Sequence, residues 1–409
     1  MAGTSLSILD DILKEDYLGP IQTQFNNSSI LMKRLTKNEE DVGGKKAIVP
    51  LHVGRNSGVG ARAENGTLPT AGYQAYDQAV FNCAYNYARI QIPGPAIKAS
   101  RKDKYAFVRA IDSEIEGATK DIKEEVNVQL HGDGTGVLGL VNGDPVTGTT
   151  LTMDNPGALY IQKGMLIDIV DPASVTGGDG RAAAKALVVS AKATSLTATM
   201  AAAFDASVLD DDLVVRSGNY RLAMMGLRGI VNNQNAGYGL VTTPMNVGGI
   251  SRATAGNEFW KAGYLDNAGV GRGLTLDLMQ QGFDTAEQEG GEISLIMTDY
   301  TQRRKYLSLV KADGRFVNNL KLDGGWTALE YNEKPLVVDR HCLPGRIYFL
   351  DESSLAIYRM SDIEWMEEDG AVLSRVSGVD AYEAILYYYA TLGCKAPSHN
   401  CALVDLSLT

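Results

Sequence analysis

Between Arg101 and Leu130 the apolar residues Phe107, Ile111, Ile115, Ala118, Ile122 and Val126 recur at intervals of three and four, the spacing that lines up side chains on one face of an α-helix. At ~1.5 Å per residue this stretch makes a rod of roughly 45 Å, long for a globular helix, and Gly117 scarcely interrupts it. The rod ends at His131, where Gly132 to Gly136 (GDGTG) stops the helix. Any fold for this chain has to accommodate it.

Ahead of the rod, Lys46 to Val53 (KAIVPLHV) reads as a strand, Gly54 to Tyr73 as a glycine-rich loop and Asp77 to Ile92 as a long returning strand. In the return, Phe81, Cys83, Tyr85 and Tyr87 alternate with Asn82, Ala84 and Asn86, which is the period of two of an extended chain. A two-stranded ribbon is marginal alone, so this one joins a sheet or lies on a neighbouring subunit. Pro93-Gly94-Pro95 separates it from the helix.

The N-terminus carries an amphipathic stretch, Leu6, Ile8, Leu9, Ile12 and Leu13, interrupted by Asp10 and Asp11. It predicts one short helix over 5–16. Tyr17 to Glu40 is polar and weakly periodic, broken at Gly19-Pro20. This reads as an arm with too little apolar surface to order itself, so it should rest on another surface.

From about Asn142 to Ser217, short apolar runs (Met165 to Val170, Ala186 to Val189, Leu213 to Val215) are separated by Gly, Asp, Ser and Thr. The pattern predicts a small all-β insertion, a compact barrel or sandwich, in which Asp210, Asp211 and Asp212 form a solvated turn. Further on, Leu274 to Glu289 and Asp299 to Lys311 read as helices, the second capped by Thr298 or Asp299. Leu295 to Met297 reads as a buried strand. Arg346 to Leu350, Leu355 to Met360 and Tyr382 to Ala390 read as strands, and Asp369-Gly370 as the tight turn of a hairpin between Ile363 to Glu367 and Ala371 to Val376.

Composition narrows the class. With 409 residues and 44% hydrophobic content the chain can bury more than one core, and 44 glycines beside 7% aromatics favour strands and extended loops over a bundle. The formal charge of -11, without a Lys/Arg-rich run, lacks the footprint of a tight nucleic-acid binder. Cys83, Cys342, Cys394 and Cys401 are too few and too scattered for a disulfide scaffold. The N-terminus lacks the basic start and apolar core of a signal peptide, and no apolar run reaches the ~18 residues of a membrane span. Cytoplasmic synthesis and no membrane partner are the expectation.

No catalytic motif emerges. Gly54 to Gly60 lacks the Lys-Ser/Thr of a phosphate loop, and Gly132 to Gly139 follows a helix where a dinucleotide fingerprint needs a strand before one. His52, His131, His341 and His399 form no metal-type pair. His399 between Cys394 and Cys401 wants a fourth ligand and tighter spacing. His341 and Cys342, adjacent in an extended chain, point apart. Glu364, Glu367, Glu368 and Asp369 read as a solvated face. The expectation is a chain that is not an enzyme, with no cofactor and no metal.

An N-terminal arm, a long hairpin with a glycine-rich tip, one long helix and then a compact mixed domain follow in that order. That order resembles the Hong Kong 97 capsid fold of tailed-bacteriophage major capsid proteins. The match is carried by ENGTLPTAGYQ (Glu64 to Gln74), LHGDGTG (Leu130 to Gly136) with Gly139-Leu140, DYTQRRKYLSL (Asp299 to Leu309) and GGWTALEYNEKPLVVDRHCLPGRIYFL (Gly324 to Leu350).

The resemblance implies an α+β fold with an N-arm (1–46), an E-loop hairpin (47–95), a peripheral domain with the spine helix (96–140), an inserted β subdomain (141–219), an axial domain (220–345), peripheral-domain strands (346–389) and a C-terminal segment returning to the axial domain (390–409). It further implies self-assembly into hexamers and pentamers, an icosahedral head around packaged double-stranded DNA, a portal and possible decoration proteins. The insertion departs from the direct passage into the axial domain. The chain begins almost at the arm, so a separate scaffolding protein is the expected arrangement.

Some relatives weld subunits through an E-loop lysine. Here Leu51 to Ile92 holds Arg55, Arg62 and Arg89 and no lysine, and a permanently protonated guanidinium is a poor nucleophile, so a non-covalent shell is expected. Candidate intersubunit contacts are Arg55, Arg62 and Glu64 at the hairpin tip, against a simple solvated tip. Glu114, Lys120, Glu124 and Glu125 are the further candidates on the helix's charged face, against a solvated face. Two rivals stay open: an encapsulin, the nanocompartment shell with the same subunit fold, and a cytosolic β-rich enzyme.

Overall fold

Period-two burial shapes the first part of the molecule. The computed structural model describes residues 30–95, 104–143, 148–173, 186–204, 207–233, 246–312, 319–321, 327–367 and 374–408; the predicted helix over 5–16 and most of the arm lie outside them. A short helix, α1 (Ile30–Arg34), leads into β1 (Thr36–Asn38) and β2 (Val42–Gly43). Then β3 (Lys46–Gly54) runs antiparallel to β4 (Ala75–Asn82) from the pair Lys46↔Asn82 to His52↔Tyr76. In β3, Ala47, Val49 and Leu51 point into the core while Lys46, Ile48, Pro50 and His52 point out. The returning strand is broken at Cys83, and β5 (Ala84–Pro93) continues into a different sheet.

The long helix is α2 (Lys104–His131), and its side chains are described from Glu114 onward. On that part of the predicted stripe Ile115 and Ala118 are half-buried, and Ile122 and Val126, with Leu130 one turn further on, are buried in the largest core, against Leu227, Ile230 and Tyr348 among others. The helix stops where Gly226 crosses its end. A Cβ there would lie 2.3 Å from the carbonyl oxygen of Gln129 and 2.6 Å from that of Leu130, so only glycine permits the approach.

After the helix come β6 (Val137–Leu140), β7 (Gly148–Thr152), β8 (Leu166–Val170), β9 (Ala186–Ala191), β10 (Thr197–Phe204) and β11 (Leu213–Arg216). They form one antiparallel sheet in the order β6-β11-β8-β9-β10-β7. A bridge between Val141 and Met153 ties its two ends together, so the sheet curls toward a barrel. Its core of Leu151, Met153, Ile167, Ile169, Val188 and Met200 is separate from the main one. The sheet starts at Val137, ahead of the boundary at 141 expected from the sequence, because β6 supplies the partner that β11 needs. Asp212 is buried and accepts from the Leu209 N–H at 2.8 Å, which corrects the solvated-turn reading of that residue.

The remaining chain forms α3 (Leu227–Ile230), β12 (Gly263–Leu265), α4 (Leu276–Gln288), β13 (Leu295–Thr298), α5 (Tyr300–Ala312), β14 (Asn319–Lys321), β15 (Thr327–Tyr331), β16 (Lys334–Val338), β17 (Ile347–Leu350), β18 (Leu355–Arg359), β19 (Glu364–Trp365), β20 (Ser374–Arg375), β21 (Ala381–Cys394) and β22 (Cys401–Leu403). Thr275 caps α4 by accepting from Leu278 N–H at 3.1 Å, and Asp299 caps α5 by accepting from Thr301 and Gln302 N–H. A seven-stranded mixed sheet has the order β12-β22-β17-β13-β16-β15-β14. Helices α4 and α5 pack on it through Met279, Phe283, Tyr306 and Val310.

The second six-stranded sheet is built around β21. Strand β5 pairs with one edge from Ala381↔Pro93 to Ala390↔Ala84. Strands β18, β19 and β20 lie in turn along the other edge, through Leu355↔Cys394, Glu364↔Tyr387 and Ser374↔Glu383. The predicted hairpin over 363–376 is thereby corrected. Among the described residues its two arms, Glu364–Trp365 and Ser374–Arg375, pair with β21 and not with each other, and Asp369-Gly370 lies outside the described residues. A 14-residue strand offers more backbone partners than a short hairpin can offer itself. No described helix is long and apolar enough to cross a membrane.

Candidate assembly surfaces

The β3–β4 ribbon carries the loop 55–74, in which Arg55, Arg62 and Glu64 are exposed and form no ion pair with another described residue. Leu68 is 82% exposed and Tyr73 85%, a large exposed apolar area for one loop. Near the base the loop is pinched. His52 Nε2 and Gln74 Oε1 are 2.7 Å apart, and a Cβ on Gly72 would fall 2.5 Å from Asn56 Oδ1 and 2.9 Å from the Ser57 nitrogen. Beyond the last strand pair, the two sides of the loop therefore stay close together as far as Gly72.

The helix face separates into two parts. Glu114 is half-buried, and burial together with the neighbouring Asp121 carboxylate raises its pKa; Lys120 lies 3.8 Å from Glu116 in an exposed i,i+4 pair. Glu124 and Glu125 are turned inward, which corrects the reading of a solvated face. Glu124, 6% exposed, pairs with Arg340 and accepts from Gln162 Nε2. Glu125 pairs with Arg216 at 2.6 Å and accepts from Asn219 Nδ2 and Gln129 Nε2. Gln162, Arg216, Asn219 and Arg340 lie far away in sequence, so helical periodicity carried no signal for these contacts.

Around Glu124 sits a buried polar joint between α2, the curled sheet and the turn after β16. Asn127 Nδ2 donates to His341 Nδ1 at 2.7 Å and reaches Asp339 at 3.3 Å, and Tyr160 Oη donates to the His341 carbonyl oxygen at 2.7 Å. His131 Nδ1 donates to the Asn127 carbonyl oxygen at 2.9 Å, which leaves Nε2 bare, 4.0 Å from Asp339 Oδ2. Burial lowers the pKa of both histidines, that of His341 to about 4. From the sequence, His131 was marked only as the end of the helix and as failing to form a metal pair, and His341 only as failing to form a metal pair or a catalytic pair with Cys342.

A second exposed surface is the outer face of β5 and β21. Tyr85, Tyr87, Tyr387 and Tyr389 cluster there with ring centroids 5.0 to 5.6 Å apart, beside the Arg89–Glu383 ion pair. Cys394 and Cys401 are buried with thiol pKa values pushed up to about 12, and His399 Nδ1 lies 3.3 Å from Asp351 Oδ2. These are packing positions.

The described chain thus combines a two-stranded ribbon, a long helix packed against β5 and a seven-stranded mixed sheet. The solved structure of the cyanophage A-1(L) capsid asymmetric unit has the same fold, with a TM-score of 0.56 at 14% identity, covering 95% of each chain. The capsid of an empty GTA particle follows, with a TM-score of 0.50 at 10% identity over 96% of this chain and 94% of that one. The holo-SrpI encapsulin complex from Synechococcus elongatus PCC 7942 gives a TM-score of 0.49 at 8% identity over 100% and 98%. The class is that of Hong Kong 97-like capsid proteins. The family model of the SU10 major capsid protein matches residues 162–407, and the chain belongs to that family. No curated protein matches the sequence.

Proposed function

We propose that this major capsid protein closes into an icosahedral bacteriophage head as hexamers and pentamers, with the loop 55–74 reaching onto a neighbouring copy. In this reading residues 1–46 are the arm, 47–95 the E-loop, 96–140 and 346–389 the peripheral domain with α2 as spine, 141–219 the insertion, and 220–345 and 390–409 the axial domain, with β6 belonging to the curled sheet of the insertion and β17 to the seven-stranded sheet of the axial domain. The observation that carries it is the loop itself. Arg55, Arg62 and Glu64 stand without described ion-pair partners beside the exposed Leu68 and Tyr73, and repeated heterologous contacts that close by symmetry give such a surface its use. Glu114 and Lys120 remain contact candidates on α2. Glu124 and Glu125 serve the subunit's own interior.

The shell would hold packaged double-stranded DNA without specific binding, in keeping with the net charge of -11. A separate scaffolding protein, a portal and decoration proteins are the expected partners. Negative-stain microscopy and sedimentation of the purified protein test this. Icosahedral particles or hexamer sheets are expected, and a monodisperse monomer or dimer across salt conditions and with scaffold supplied would overturn it. Particles filled with an enzyme and free of DNA would move the assignment to an encapsulin.

A further inference from the structure

A pocket of about 620 Å³ opens where α1 and β1 meet α2 and β19. Its rim is cationic: Lys33 and Lys37 come from the first described residues, and Lys120 and Lys123 from α2. Its floor is apolar, formed by Met32, Ile363 and Trp365, which pack against the main core. The carboxylates at the pocket are engaged, Glu124 by Arg340 and Asp362 by Arg359 at 2.9 Å. What suits such a site is apolar on one side and anionic on the other. A phosphodiester would use the rim and leave the floor bare.

The chain contains a segment with that chemistry. Over Ser5 to Asp16 the apolar Leu6, Ile8, Leu9, Ile12 and Leu13 sit among Asp10, Asp11, Glu15 and Asp16, with Lys14 the single cation. It is tethered beside the pocket, since the described chain starts at Ile30 and Met32 already lies in the floor. Fully extended, the stretch from Asp16 to Ile30 spans no more than about 50 Å, so the segment is held near the pocket at an effective concentration on the order of millimolar.

We propose that the acidic amphipathic segment Ser5 to Asp16 docks in this pocket, its leucines and isoleucines on Met32, Ile363 and Trp365 and its carboxylates against Lys37 and Lys123. Docking gives the segment the apolar contacts it cannot make alone, and it covers a cationic patch that would otherwise attract nucleic acid.

Hydrogen–deuterium exchange of the purified full-length chain before assembly tests this and is independent of shell formation. Peptides covering residues 5–16 are compared in the wild type, in Lys37→Glu/Lys123→Glu, in Asp10→Lys/Asp11→Lys and in the four-fold charge swap. Protection of at least tenfold in the wild type, lost in each pair variant and recovered in the swap, is the expected result. Far-UV circular dichroism separates loss of docking from loss of fold, and Asp10→Lys/Asp11→Lys changes no described residue. Unprotected exchange in the wild type, or protection indifferent to the reversals, would overturn the proposal. Protection that appears only when DNA or an acidic protein is added would overturn it too, assigning the pocket to that ligand.

Discussion

Arg228 Nη2 donates to Asp133 Oδ2 at 2.6 Å, and both side chains are only 2% exposed. The pair fastens the glycine-rich turn that ends α2 to the short helix α3. Asp133 also accepts from Thr135 N–H at 3.0 Å and from its hydroxyl, so the carboxylate organises the turn as well as neutralising the arginine. Truncating Arg228 to methionine strands a buried anion, which costs roughly 3–5 kcal/mol. Chemical denaturation of the unassembled subunit should show that loss, and Asp133→Asn should show one of similar size, because it leaves the buried guanidinium without its carboxylate.

Acid should loosen the joint around His131 and His341. Both have folded-state pKa values below the ordinary 6.5 because burial disfavours the imidazolium. The unfolded chain therefore binds more protons below that pH, and stability present above about pH 6.5 is lost as the pH falls toward the folded value, about 4 for His341. For His341 the difference is worth roughly 3 kcal/mol. The groups facing these rings are Glu124, Asp339 and Arg340. Thermal melts between pH 7 and 4 should show a fall that His341→Gln flattens, and an unchanged slope in that variant would remove His341 as the cause.

Arg252, 1% exposed, donates to three backbone carbonyls, those of Trp260 at 2.8 Å, Gly229 at 2.7 Å and Ile230 at 2.5 Å. Its burial lowers the pKa to about 10, so it stays charged at neutral pH. Methionine there keeps the packing volume and strips the carbonyls of their donor. A loss on the order of 3 kcal/mol follows from unsatisfied buried acceptors, read as a lower denaturation midpoint with an unchanged slope.

Gly282 lies where α4 presses on the seven-stranded sheet, and a Cβ there would sit 2.5 Å from Cε2 of Phe349. Alanine normally gains about 1 kcal/mol over glycine inside a helix. Here the clash reverses the sign, because an overpacked core costs typically 1–3 kcal/mol. Gly282→Ala should melt lower than the wild type, while Gly117→Ala on α2, with nothing within 4 Å of its Cβ, should melt higher.

Charge reversal at Arg62 should leave the melting temperature of the isolated subunit unchanged and lower the yield of assembled particles. Arg62 is exposed and, among the described residues, its guanidinium donates only to the Ala61 carbonyl oxygen, at 3.4 Å, so the fold of the described subunit does not rest on it. Equal assembly yield and particle stability in wild type and Arg62→Glu would assign the tip to solvent.

Local chemistry determined a good part of this protein from the sequence alone. The stripe ending at Val126 marked α2, Asp299 was one of two residues marked as the start of α5, and 46–53 and 77–92 were marked as strands, because each is a short-range pattern in which a residue's burial follows from its periodic position. The tertiary structure alone decided what those elements meet. Glu124 and Glu125 have the composition of a solvated face and became interior anchors because Gln162, Arg216 and Arg340 arrive from distant parts of the chain. Likewise Asp369-Gly370 signals a hairpin locally, yet the flanking strands found a longer partner in β21. Strand pairing and charge compensation between distant segments are set by which surfaces the packed core brings together, and no local window of sequence contains both halves of such a contact.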